Sequence, residues 1–139
     1  MNQNTITIKT IINAPIEKVW DYWSKPEHVT KWAFASNDWE APYAENDLRT
    51  DGRFKTTMAA KDKSASFDFE GTYTNVKDHE HIEYVMSDGR TVKTVFTQTP
   101  TNVEIIQTFD PESENSLEMQ RSGWQAILDN FKKYVENGQ

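Results

Sequence analysis

Apolar and polar residues alternate along Thr5 to Ile12, in the order Thr-Ile-Thr-Ile-Lys-Thr-Ile-Ile. A period of two puts Ile6, Ile8 and Ile12 on one face of a half-buried strand. The pattern then changes. Pro15 suits a first helical turn because it has no N–H to satisfy, and Glu17 complements the positive end of a helix, so a helix is predicted to run to about Trp23. Ser24-Lys25-Pro26-Glu27 reads as a capping box, and Val29, Trp32 and Ala33 are spaced as the apolar stripe of a second short helix ending near Phe34.

From Ser36 to Leu48 neither period holds. Trp39 and Tyr43 stand as aromatic islands around Pro42, which predicts a loop, set over a pocket. Five strands are predicted beyond it: Gly52 to Ala59, Ser66 to Val76, His81 to Met86, Thr91 to Gln98 and Val103 to Phe109. Ser87-Asp88-Gly89-Arg90 and Pro100-Thr101-Asn102 are the clearest hairpin turns. Such short links cannot make the long crossover that parallel neighbours need, so the sheet is predicted to be an antiparallel meander. Last, Asn115-x-x-Glu118 reads as the cap of a helix of about twenty residues, with Leu117, Arg121, Trp124, Ile127, Leu128, Phe131 and Val135 on one stripe. The order strand, two helices, five or six strands, long helix predicts an α+β fold in which the last helix lies on the sheet. Residues 1–139 are expected to form a single domain, large enough to bury a core without metal or disulfide staples.

Composition narrows the chemistry. The chain carries 22 Asp plus Glu against 15 Lys plus Arg, a net charge of −7, with its basic residues scattered. Phosphate backbones and anionic headgroups repel such a surface, which argues against nucleic-acid and membrane-surface roles. No apolar run reaches the roughly eighteen residues of a spanning helix, so no membrane insertion is expected and the expected compartment is the cytoplasm. With no Cys, thiol catalysis, thiolate metal sites and disulfides are excluded. Three Leu beside 17 aromatic residues point to a core in which stiff rings hold space open where aliphatic chains would collapse.

Motifs for catalysis are sparse. Phe67-Asp68-Phe69-Glu70 alternates ring and carboxylate, so on a strand the rings share one face and the acids the other, facing solvent. His79-Glu80-His81, with Asp78 beside it, places two imidazoles at i and i+2, but Asp78 and His79 fall in a predicted turn and no zinc-type spacing appears; no metal is expected. No Gly-x-Ser-x-Gly elbow and no Gly-rich phosphate loop occur. Arg121 falls on the stripe of the last helix, where its guanidinium either reaches a ligand's carboxylate or phenolate or lies at the stripe's edge with its head in water.

Five segments carry a resemblance: Ala14-Pro15-Ile16-Glu17-Lys18-Val19-Trp20, Pro26-Glu27 through Trp32, Arg49-Thr50-Asp51-Gly52-Arg53-Phe54, Phe69-Glu70-Gly71-Thr72-Tyr73, and Gly123-Trp124-Gln125-Ala126-Ile127-Leu128-Asp129-Asn130-Phe131. In this order they resemble the START-like (SRPBCC) helix-grip superfamily, and within it the polyketide cyclase-like family related to the activator of the heat-shock-ninety ATPase. Where many relatives read Gly-Gly before Arg, this chain has Asp51-Gly52. The resemblance implies a curved antiparallel sheet of six or so strands gripping a long C-terminal helix, with an apolar cavity between them for a small hydrophobic molecule, aromatic, polyketide-like or lipid-like. It places Trp32, Phe34, Trp39, Phe54, Phe69, Tyr73, Tyr84, Arg121, Trp124 and Leu128 as ligand-binding candidates, with no cofactor. The ATPase-activating role of larger relatives also depends on a further domain, for which 139 residues leave no room, and is not carried over. Two other function classes stay open. A cyclase- or hydratase-type enzyme would use Glu70, Tyr73 or Tyr84 for proton transfer, and a protein-interaction module would expose Trp39 and Tyr43 to a protein partner. The expected oligomeric state is monomer or weak dimer.

Overall fold

The computed structural model describes residues 5–113 and 115–137. The elements are β1 (Ile6–Ile12), α1 (Ile16–Ser24), α2 (Pro26–Val29), β2 (Trp39–Asn46), β3 (Arg53–Ala60), β4 (Ser66–Lys77), β5 (His81–Met86), β6 (Thr91–Gln98), β7 (Val103–Phe109) and α3 (Leu117–Glu136). The strands form one 7-stranded sheet in the order β1-β7-β6-β5-β4-β3-β2, every neighbour antiparallel. β3 to β7 are the predicted meander, β2 adds to it at one edge against β3, and β1 closes the other edge against β7. The sheet curls around α3, giving the helix-grip fold.

Alternation decides the inner face. Ile82, Tyr84 and Met86 of β5, Val92, Thr94 and Phe96 of β6, and Val103, Ile105, Gln107 and Phe109 of β7 are all buried, while their neighbours are turned outward. On the helix, Leu128, Phe131 and Val135 are the inner face, each at most 1% exposed. The rings of Trp23 and Trp32 meet Phe131 edge-on at 4.9 and 4.8 Å, joining α1 and the turn after α2 to α3. Burial of a ring such as Phe131 stabilises the fold by about 1.5 to 3 kcal/mol. Polar bonds fix the helix along β1: Gln125 Nε2 donates to the Lys9 carbonyl, Lys132 Nζ to the Ile11 carbonyl, and the Asn13 amide to Glu136 Oε2.

The structure corrects the sequence reading at four places. The segment read as a loop contains β2: β3 supplies its pairing, Ala41 is its one buried residue, so no two-faced pattern shows, and Pro42 sits at the register shift between Glu40 and Tyr43. The second helix ends at Val29, after which bonds such as Lys31 N–H to the His28 carbonyl tighten the chain so that Trp32 Nε1 donates to the Tyr22 carbonyl. Ser24 does not cap that helix: its hydroxyl turns back to the Trp20 carbonyl. Ser116, not Asn115, caps α3, accepting from the Met119 amide at 3.1 Å, while Asn115 binds Glu112.

The turn before β3 explains the Asp51-Gly52 pair. Asp51 itself takes the left-handed conformation, φ 73°, which costs an L-residue about 1 to 2 kcal/mol. Gly52 is required by space: a Cβ there would stand 2.0 Å from the Asp47 carbonyl oxygen. Asp51→Gly is therefore expected to raise stability by about 0.5 to 1 kcal/mol and Asp51→Val to lower it by about 1 to 2 kcal/mol. Urea unfolding at unchanged m-value checks both.

Candidate functional site: an aromatic cavity under the last helix

Above Leu128 the inner face of α3 separates from the sheet, and a cavity of about 290 Å³ opens between them. Ligand sites run from about 300 to 1,000 Å³, so this one matches a small molecule. Its walls come from every layer of the fold: Trp23, Trp32 and Ala33 at the α1–α2 corner, Phe54 and Met58 of β3, Phe67, Phe69 and Tyr73 of β4, Ile82, Tyr84 and Met86 of β5, and Trp124, Ile127 and Leu128 of α3. The rings brace one another. Phe54 lies 5.7 Å from Phe69, 5.2 Å from Tyr73 and 4.7 Å from Tyr84, and Trp124 stacks on Phe109 at 3.8 Å with its edge toward Phe69. Each ring leans on other rings, so none is free to fall into the space. Gly71 makes room for Phe54: a Cβ there would lie 3.1 Å from its ring and 2.5 Å from the Val85 carbonyl oxygen.

Seven of the ten ligand-binding candidates are brought to this wall: Trp32, Phe54, Phe69, Tyr73, Tyr84, Trp124 and Leu128. Three are not. Phe34 packs against the core beside it, and Trp39 leans edge-on against Phe67 at 5.9 Å without reaching the wall itself. Arg121 is exposed, because the first turns of α3 stand clear of the sheet, where Leu117 and Met119 are also exposed. The buried position on those turns belongs to Gln120. Its amide donates to the carbonyls of Glu112 and Asn115 and its oxygen accepts from the Glu112 amide, tying down the loop that closes one side of the cavity. An apolar stripe gives no sign of such a residue. The cation at the wall is Arg90, from the β5–β6 turn, with Nε on Asp88 at 2.8 Å.

The weak proton-transfer candidates separate in the same way. Glu70 lies outside the cavity wall, on the face of β4 that carries Asp68, which binds Thr57 Oγ1 and Lys55. Tyr73 and Tyr84 do line the cavity, and burial pushes both phenols far above their ordinary range, so they hold their protons. Tyr73 donates to Asn46 Oδ1; the Tyr73 phenol adds to the rise at Tyr84 and Arg90 opposes it. The histidine pair does not converge. His79 takes a left-handed turn with its ring edge-on to Trp20, while His81 lies on β5 with Nε2 buried, 4.0 Å from Glu83 Oε2. Among the described residues no three His, Cys, Asp or Glu side chains come together as a metal cluster. Of the aromatic pair weighed for a protein partner, Tyr43 is exposed and Trp39 half-buried.

The two phenols set a pH dependence. The unfolded chain ionises them near pH 10 while the folded protein does not, so the unfolded state binds fewer protons and stability is expected to fall as pH rises through that value. Below it their contribution is fully present. Each should add about 1.4 kcal/mol per pH unit to the downward slope above pH 10, and Tyr84→Phe should remove one such increment in urea titrations.

Comparison with known proteins agrees with this architecture. Residues 13–136 match the family described as activator of Hsp90 ATPase homolog 1-like protein. The solution structure of an AHSA1-like protein from Aeromonas hydrophila is 44% identical, covers 96% of this chain and 92% of its own, and superposes with a TM-score of 0.90. A solution structure from Cytophaga hutchinsonii is 54% identical over 96% of this chain and 93% of its own, with a TM-score of 0.84. A crystal structure from Nitrosomonas europaea shares the fold at 17% identity, covering 97% of this chain and 96% of its own, with a TM-score of 0.83. Among curated proteins none matches the chain. Among the described residues no helix is long and apolar enough to cross a membrane. A family match over nearly the whole chain, on the helix-grip fold, establishes that the protein belongs to the activator of Hsp90 ATPase homolog 1-like family.

Proposed function

We propose that the protein binds one small hydrophobic molecule, aromatic, polyketide-like or lipid-like, between α3 and the sheet, without turning it over. The observation that carries this reading is the cavity itself, about 290 Å³ of space with eight aromatic side chains in its wall. Close packing is the rule in protein interiors, and a void costs stability in proportion to its volume, about 24 cal/mol per Å³ in core-truncation series. A bound apolar molecule recovers that cost by removing apolar surface from water.

The polar groups of the wall fit holding rather than reacting. Both phenols keep their protons, and Glu112 at the rim spends its carboxylate on the Asn115 amide and side chain. A cyclase- or hydratase-type reaction needs a group that takes a proton near neutral pH. Amide NMR titration against a panel of fatty acids, polyketide-like aromatics and flavonoid-like compounds tests the proposal. Saturable shifts confined to the Trp124–Leu128 turns and to β4 through Phe69 and Tyr73 are expected from at least one class, whereas no shifts across the panel would overturn it. Trp124→Ala should weaken that binding about tenfold or more. Because one side of the indole faces the cavity, its stability cost should stay under the 3 to 5 kcal/mol typical of a close-packed ring.

A further inference from the structure

The cavity wall contains a hydrogen-bond donor that the fold leaves unused. Tyr84, in the middle of β5, is 8% exposed, and its ring is wedged among Phe54, Phe69 and Tyr73. Its hydroxyl makes no hydrogen bond among the described residues, and it is not sealed in by protein atoms either, so the space before it is the cavity. A buried tyrosine ordinarily finds a partner for its O–H. A phenylalanine would pack the same ring without that need.

The neighbouring polar groups are engaged. The Tyr73 hydroxyl is on Asn46, the Gln107 amide on Thr94 Oγ1, the Gln120 amide on the loop before α3, and Arg90 Nε on Asp88. Thr56, buried in β3, is the other wall residue whose hydroxyl has no partner among the described residues, and it lies across the β3–β4 pairing from Phe69. The charge around the site disfavours an anion: Arg90 is already neutralised by Asp88, and Glu45 and Glu112 stand in the same wall. Size adds a further bound. An apolar cavity of about 150 Å³ takes benzene. The volume here is about 290 Å³, which suits two fused rings.

We propose that the Tyr84 hydroxyl is the recognition point of the cavity, donating a hydrogen bond to the carbonyl-type oxygen of an uncharged apolar ligand about two fused rings in size. The proposal rests on the binding reading above and names the ligand chemistry for it. Burial supports the direction of the bond, since a phenol pushed up in pKa keeps its proton and can only donate to an oxygen without one of its own.

The test compares 2-acetylnaphthalene with 2-isopropylnaphthalene, a hydrocarbon of nearly the same shape, on the wild-type protein, Tyr84→Phe and Thr56→Val, by amide NMR titration. The expected result is that Tyr84→Phe weakens the ketone about fivefold to tenfold, the size of one neutral hydrogen bond, and leaves the hydrocarbon within about twofold. Thr56→Val should leave both within about twofold. In the wild-type protein the carbonyl stretch of the bound ketone should fall below its value in hexane, a readout that needs no variant. Ketone affinity and carbonyl stretch both indifferent to Tyr84, or a ketone loss in Thr56→Val alone, would overturn the assignment while leaving the binding reading intact. If neither probe shifts the cavity residues of the wild-type protein, this assignment falls, and if the wider panel is silent too, so does the binding reading.

Discussion

A single helix cannot fill the concave face of a seven-stranded sheet, and this geometric shortfall shapes the rest of the molecule. Toward its C-terminal end α3 is packed solid: Phe131 and Val135 are fully buried, and the rings of Trp23 and Trp32 close over Phe131. Toward its N-terminal end the helix has no such cover, and Trp124, Ile127 and Leu128 face open volume. The solid end supplies the burial that holds the helix in place. The open end is left as a cavity, and the packed end offsets what that void costs in stability.

What keeps the open end from collapsing is side-chain stiffness. Phe54, Phe69, Tyr73, Tyr84 and Trp124 form a connected set of edge-on and tilted contacts, anchored through the stack of Trp124 on Phe109. An aromatic side chain has two torsions and a rigid body, so bracing one ring against another fixes both at little entropic cost. A Leu-rich wall would adjust its rotamers into the void. Two backbone constraints support the set: Gly71 lets the Phe54 ring approach β4, and the Asp47–Gly52 turn brings β3 into register, with the Asp51 amide on the Tyr73 carbonyl.

Electrostatics act on the rim more than on the interior. The ion pairs are peripheral, as with Lys25 and Asp21 or Lys132 and Glu136, and exposed pairs of this kind contribute little each. Lys132 and Glu136 matter for position, since they also bind the Ile11 carbonyl and the Asn13 amide and so register α3 along β1. In the cavity wall the charged groups Arg90, Glu45 and Glu112 stand beside neutral ones, the Tyr73 and Tyr84 phenols and the Gln107 and Gln120 amides. Among the wall hydroxyls, those of Tyr84 and Thr56 have no hydrogen-bond partner among the described residues.

Local pattern determined most of the scaffold. Period-two patterning marked β1, strand-like runs between turn signals marked the strands from Arg53 to Phe109, and three-and-four spacing marked α3 and its buried Leu128, Phe131 and Val135, because burial on one face imposes the period of the element on the sequence. β2 escaped that logic, since its pairing comes wholly from β3 and, with Ala41 its one buried residue, no buried face imposes an alternation on it. The cavity escaped it too. Periodicity says that a residue faces inward, not whether another side chain meets it there: Phe131 and Trp124 share a stripe, yet one is packed solid and the other borders a void. Gln120 and Arg121 make the same point from the polar side, the loop at Glu112 to Asn115 burying the first and leaving the second in water. Which inward residues touch, and which are left facing space, depends on how far the sheet curls around the helix, a distance that only the tertiary structure decides.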